Sequence, residues 1–151
     1  MSSAETIKSI LSEQVSGYRT LLDILQRERA CLLQFNPSGI ETLSKEKDTA
    51  VMKLKLLEEE RVRLVGTFVR ENGIAATDAF RCLSESTGDD VFQRLRLQLI
   101  SLLQSIMELN SFNRLLIERS AAVVKNALNF LITCGVAVSG SKAGALLSRE
   151  V

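Results

Sequence analysis

Apolar residues recur at alternating spacings of three and four along most of the chain, the pattern of helices that bury one face and wet the other. A first stretch, about residues 4–34, places Leu11, Val15, Tyr18, Leu22, Leu25, Arg29 and Leu32 along one seam. A second, residues 38–71, places Ile40, Leu43, Lys47, Ala50, Leu54, Leu57, Arg61, Leu64 and Phe68. The third, residues 90–134, has the seam Phe92, Leu95, Leu99, Leu102, Ile106, Leu109, Asn113, Leu116, Ser120, Val123, Ala127, Phe130 and Cys134. An adjoining column of Leu103, Ile117, Val124 and Leu131 widens this last stripe enough to face two neighbours at once.

The interruptions carry turn chemistry. Between the first two stretches, Asn36 or Ser38 can cap the next helix, Pro37 suits a first turn, and Ser38 with Glu41 has the spacing of a capping box. Asn72-Gly73 stops the second stretch. Residues 74–88 break the period: Thr77 is expected to cap a short helical turn carrying Phe80 and Leu83, and Ser84 to Gly88 read as loop. Asp89 or Asp90 caps the third helix. If the first two helices fold back on each other, residues whose numbers sum to about 75 lie opposite, pairing Leu32 with Leu43, Leu25 with Ala50 and Tyr18 with Leu57. The same rule brings Glu28 near Lys47, an acidic neighbour for a basic seam position. Arg61 falls opposite Val15 and near Gln14, and its guanidinium is expected to reach outward. The predicted fold is all-α: an elongated antiparallel bundle of three long helices with coiled-coil-like seams and a short connecting helix over residues 1–134, followed by a mobile tail, 135–151.

Composition narrows the chemistry. The chain has no His, so imidazole acid–base catalysis and His-ligated zinc are excluded. Of its residues 46% are apolar and only 5% aromatic, which suits long aliphatic-seamed helices. Lys and Arg number 19 against 18 Asp and Glu and are spread without a basic stripe, so no nucleic-acid partner is expected. Cys31, Cys82 and Cys134 form no CxxC pair and read as reduced and structural. The charged N-terminus lacks a signal-peptide core, which points to the cytoplasm. The uncharged run from Asn126 to Ser141 is short of a bilayer span. Glu41, Glu46 and Glu58-Glu59-Glu60 read as solvated faces rather than carboxylate chemistry, and the glycines form no phosphate loop. No catalytic residue, cofactor or metal is expected.

Two features exceed what a bundle needs. Asn110 and Asn113 share a helical face with Asn113 in the seam, where a buried Asn specifies packing register or bonds a facing backbone carbonyl; a recognition role is the other reading. At the end of the third helix Ala122, Leu128 and Ile132 lie off the seam, leaving the helix apolar nearly all round. Such a surface needs cover from the chain's own tail, with Leu146 and Leu147 as a plug, from a second copy, or from a partner.

The order of these features resembles the FlgN family of flagellar export chaperones. The resemblance rests on Leu21-Leu22-Asp23-Ile24-Leu25-Gln26-Arg27-Glu28-Arg29-Ala30-Cys31-Leu32, then Lys47 and Arg61 in the second helix, then Asn110-Ser111-Phe112-Asn113 followed by Arg114, Leu115, Leu116 and Ile117 in the third. It marks Glu28, Lys47, Arg61, Asn110 and Asn113 as family-motif positions. It implies a non-enzymatic cytosolic chaperone that binds helical termini of hook-filament junction proteins, keeps them unassembled and delivers them to the flagellar type III export apparatus, meeting the membrane only through the export gate. The family's client-binding region maps onto the end of the third helix and the tail, where Leu128, Ile132, Val136, Val138, Leu146 and Leu147 are the expected contacts. The expected mode is groove capture of an amphipathic client helix, with the tail exchanging out. The alternatives are a scaffolding coiled-coil protein that self-associates through the same surface, and a membrane-associated helical protein using residues 126–141.

Overall fold

A computed structural model describes residues 2–135. Among these there is no strand. The chain forms α1 (Ser3–Leu33), α2 (Pro37–Asn72), a single 3-10 turn (Ala76–Asp78) that runs directly into α3 (Ala79–Thr87), and α4 (Val91–Thr133). Each long helix ends within about one residue of the bounds expected from its periodicity. The expected tail lies, apart from Gly135, outside the described residues.

The helix ends show which local signals prevail. At the start of α1, the Ser2 hydroxyl accepts the Glu5 N–H (3.2 Å) while the Glu5 carboxylate accepts the Ser2 N–H (3.0 Å), a reciprocal capping box. Its S-x-x-E spacing stands in the sequence but escapes a search that begins at the first apolar repeat. Before α2 the cap is Asn36, whose Oδ1 accepts the Gly39 N–H at 3.1 Å. The Ser38–Glu41 box does not form, because the Ser38 hydroxyl donates instead to Asn36 Oδ1. Nor does Thr77 cap a helix: it sits inside the 3-10 turn, and Asp78 precedes α3 without a side-chain cap. Ser84 to Thr87, expected as loop, form the last turn of α3. There the Thr87 hydroxyl bonds back to the Leu83 carbonyl (2.9 Å), and Gly88, at φ 64°, takes the left-handed stop. Asp89 Oδ1 accepts the Val91 N–H at the start of α4.

The chain divides into two compact units, which over the described residues are 2–22 with 48–106 and 23–47 with 107–135. In the first, Ala4, Ile7, Leu11 and Val15 of α1 bury against Phe68 of α2, Leu83 of α3, and Phe92 and Leu95 of α4. Phe92 is completely enclosed. Removing an aromatic side chain of this kind typically costs about 3–5 kcal/mol. In the second, Ile24, Leu25 and Leu32 of α1 and Leu43 of α2 are buried together with three polar side chains, Glu28, Lys47 and Asn113. Partner numbers fall on α2 as they rise on α1 in each unit, from Gln14 with Glu58 to Gly17 beside Leu54 in the first and from Arg27 with Glu46 to Cys31 beside Gly39 in the second, so these helices run antiparallel within each unit. One seam assignment is corrected: Arg29 is exposed and Glu28 takes the inward position, one residue earlier on the helix.

The α1–α2 reversal is made by a residue that resists it. Phe35 adopts φ 49°, Asn36 N–H reaches back to the Cys31 carbonyl (3.0 Å) and Phe35 N–H to the Leu32 carbonyl (3.4 Å), the paired bonds of a Schellman stop. Gly73 performs the same stop after α2 at φ 60° without steric cost. A Cβ in this region costs about 1–2 kcal/mol, and Phe35 is 59% exposed, so its ring returns little by burial. Phe35→Gly is therefore expected to stabilise the protein by about 1 kcal/mol, read as a raised urea midpoint with unchanged slope.

Candidate functional site

The second unit is tied together by a polar cluster with almost no water. Lys47 Nζ of α2 lies 2.6 Å from Glu28 Oε2 of α1. The other carboxylate oxygen, Oε1, accepts a hydrogen bond from Asn113 Nδ2 of α4 at 2.9 Å. Asn113 also donates to the Leu25 carbonyl at 3.0 Å. Glu28 is 2% exposed and Asn113 fully buried. Each carboxylate oxygen thus has its own donor, and three helices contribute one group each. The amide orientation follows from its surroundings: turned over, Asn113 would aim its oxygen at two acceptors. As it stands, Asn113 Oδ1 is a buried acceptor without a partner, a cost accepted for the two donations. Of the family-motif positions, Glu28, Lys47 and Asn113 meet here. Asn110 is half-buried and outside the cluster.

Arg61 belongs to the other unit. It closes a fork on Glu58 through both Nε and Nη2, and Gln14, almost fully buried, donates to Glu58 Oε2 at 2.8 Å. The guanidinium does reach outward, but to a carboxylate one turn back on its own helix, a partner that seam counting passed over because Glu58 reads as part of a solvated acidic run. The Arg61 hydrogen bonds hold the Glu58 carboxyl below its ordinary range, aided by Gln14 and opposed by partial burial. Burial, with the Glu58 charge, pushes the Tyr18 phenol upward.

The C-terminal half of α4 is where seam and structure part. Beyond Asn113 the half-buried side chains are Leu116, Ile117, Ser120, Ala121, Val124, Leu128 and Leu131, so the expected seam holds at Leu116 and Ser120, whereas its later members Val123, Ala127, Phe130 and Cys134 are exposed. The reason is arithmetic. A seven-residue repeat falls back by about 20° per heptad on a helix of 3.6 residues per turn, so after three or four heptads it has walked off the buried face. Val123 is 57% exposed and Phe130 66%. At 100° per residue Phe112, Val123 and Phe130 align within about 20° on one flank, while Ile132, 59% exposed, lies on the opposite flank beside half-buried Leu128. Val136, Val138, Leu146 and Leu147 lie outside the described residues. No described helix is long and apolar enough to cross a membrane, and the described residues hold no cluster of three or more His, Cys, Asp or Glu that could bind a metal.

Helices packed through aliphatic seams and tied by a buried polar cluster define an all-α helical-bundle protein. Residues 1–133 match the family described as FlgN protein, and the chain belongs to the FlgN family. Membership points to a flagellar export chaperone role. No curated protein and no solved structure matched the chain.

Two expectations follow from the polar geometry. Lys47→Met strands a buried carboxylate and is expected to cost about 3–5 kcal/mol in urea unfolding, whereas adding Glu28→Leu recovers most of that loss, since an apolar pair replaces a desolvated ionic one. Glu58→Gln is expected to cost at most about 1 kcal/mol at neutral pH, because the pair is half in water. A carboxyl with a lowered folded-state pKa stabilises above its unfolded-state value and loses that contribution as pH falls through the folded-state value. The gap between the variant and the parent should therefore narrow as pH falls below the ordinary carboxylate range when urea midpoints are compared across pH.

Proposed function

We propose that this protein is a cytosolic type III export chaperone that binds helical termini of flagellar hook-filament junction proteins, prevents their premature assembly and delivers them to the export apparatus. The observation that carries the reading is the exposure of Phe112, Val123 and Phe130 along one flank of α4, with Ile132 exposed on the other flank. Solvated Phe, Val and Ile side chains on a rigid helix offer a client helix its apolar contacts without prior unfolding of the chaperone. Leu128 and Ile132, together with Val136, Val138, Leu146 and Leu147 of the tail, are proposed contacts, and Val123 and Phe130 join them on the basis of exposure. Family membership supplies the export context, and the chemistry required is binding alone.

Val123→Asp with Phe130→Asp is expected to abolish pull-down of the junction proteins while circular dichroism shows unchanged helicity, since both side chains already face water. Retained pull-down overturns the surface assignment. A stable closed oligomer by light scattering at micromolar concentration, formed through the same residues, would assign the surface to self-association instead.

A further inference from the structure

The exposed flank of α4 is not uniformly apolar. Phe112, Arg119, Val123 and Phe130 fall within about 40° of one another, over about 27 Å of helix. Its two ends differ in charge. At the Phe112 end, the Arg29 guanidinium of α1 lies 5.2 Å from the ring centroid, and Arg119 stands one heptad further on the same line. Among the described residues neither Arg29 nor Arg119 forms an ion pair. In this unit Asp23 and Glu46 pair with Arg27 and Glu28 pairs with Lys47, none of them with Arg29 or Arg119. From Arg119 to Gly135 there is no acidic residue. Glu118 points to another side of α4, and Glu108, one turn before Phe112, closes the positive stretch at that end.

We propose that this flank takes an amphipathic helix of about five turns whose apolar face is bordered by carboxylates at the end that meets Arg29 and Arg119, with Val123 and Phe130 receiving the purely apolar end. The proposal rests on the reading of the flank as a helix-binding surface and adds the chemical class of helix it prefers. A guanidinium stacked on an aromatic face keeps its charge and leaves its N–H edge free, so Arg29 is positioned to take a carboxylate in a two-pronged fashion. Two exposed cations without internal counter-charge repel a basic helix and draw an acidic one, setting the direction in which the occupant lies. Carboxylates placed beyond Phe112 would meet Glu108, which confines the acidic positions to about two turns.

The test uses the full chain and two labelled synthetic peptides of about 18 residues with the same Leu-rich face, one carrying Glu and the other Lys at the flanking positions of one end. The Glu peptide is expected to bind about tenfold tighter at low salt, with the difference shrinking in high salt. Arg29→Glu with Arg119→Glu is expected to reverse the preference with circular dichroism unchanged, and the uncharged pair Val123→Ser with Phe130→Ser to weaken both peptides alike. Equal binding of the two peptides, binding of neither, or a preference that survives the charge reversal overturns the proposal. So does capture by phosphatidylglycerol vesicles that neither peptide displaces, which would assign the flank to a lipid surface. If charge preference is absent while junction-protein pull-down persists and still needs Val123 and Phe130, the chaperone reading stands and this inference alone fails.

Discussion

The carboxylate of Glu28 is the point on which the second unit turns. A carboxylate and an ammonium removed from water lose several kcal/mol of hydration each, and their attraction repays this only where every remaining lone pair is also engaged. Here Lys47 takes one oxygen and Asn113 the other. The consequence is specificity rather than bulk stability. A cluster of Leu side chains tolerates a slip of one helical turn with modest loss, whereas a slip of about 5.4 Å would leave a buried charge without its partners. The α1–α2 pairing is held at one register by Glu28 and Lys47, and α4 is held to both by a single amide. The other unit has the opposite character, with Phe68, Leu83 and Phe92 closing an apolar core and the Gln14–Glu58–Arg61 network at its edge, half in water.

Much of this was legible beforehand because it depends on local rules. The three periodic stretches became the three long helices, and Glu28 fell beside Lys47 because an antiparallel hairpin with a short loop leaves little freedom in pairing. The α2 seam, from Leu43 to Phe68, is the buried or half-buried face throughout. What went astray has physical causes. Capping is legible only as a choice where several competent side chains stand together: Asn36 rather than Ser38 caps α2, Asp89 caps α4, and the serines and Thr87 after Leu83 continue a helix they could equally have ended. A left-handed aromatic at Phe35 carries no sequence signal at all, since nothing in the residue favours that conformation. Asn113 was recognisable as a buried polar seam residue, but only the folded structure shows that its second partner is the carboxylate already engaged by Lys47.

The α4 seam is the instructive failure. A heptad repeat tracks the buried face over two or three repeats and then crosses to the exposed one, so it places Val123 and Phe130 in the seam and Ile117, Val124 and Leu131 in an adjoining column, where burial has the reverse. Burial follows the 3.6-residue period throughout. The excess of apolar residues that the sequence shows at the end of α4 is exposed in part as expected, at Ala122 and Ile132. Leu128, the third off-seam residue, is half-buried, and Phe130 of the seam is among the most exposed apolar side chains of the helix.

These observations meet at two adjacent residues. Phe112 and Asn113 are consecutive, so their side chains leave α4 about 100° apart, one towards the exposed flank and the other into the polar cluster. Asn113, by donating to both the Leu25 carbonyl and Glu28, fixes not only how far α4 has slid but also how it is rotated about its axis. Rotation by one residue step would withdraw Asn113 from both acceptors and exchange the faces, carrying Val123 and Phe130 towards the core. The exposure of the apolar flank is thus set by a hydrogen-bonded amide on the neighbouring face rather than by the flank's own composition, which would favour burial. A surface that hydrophobic remains outside because the polar cluster permits only one rotation.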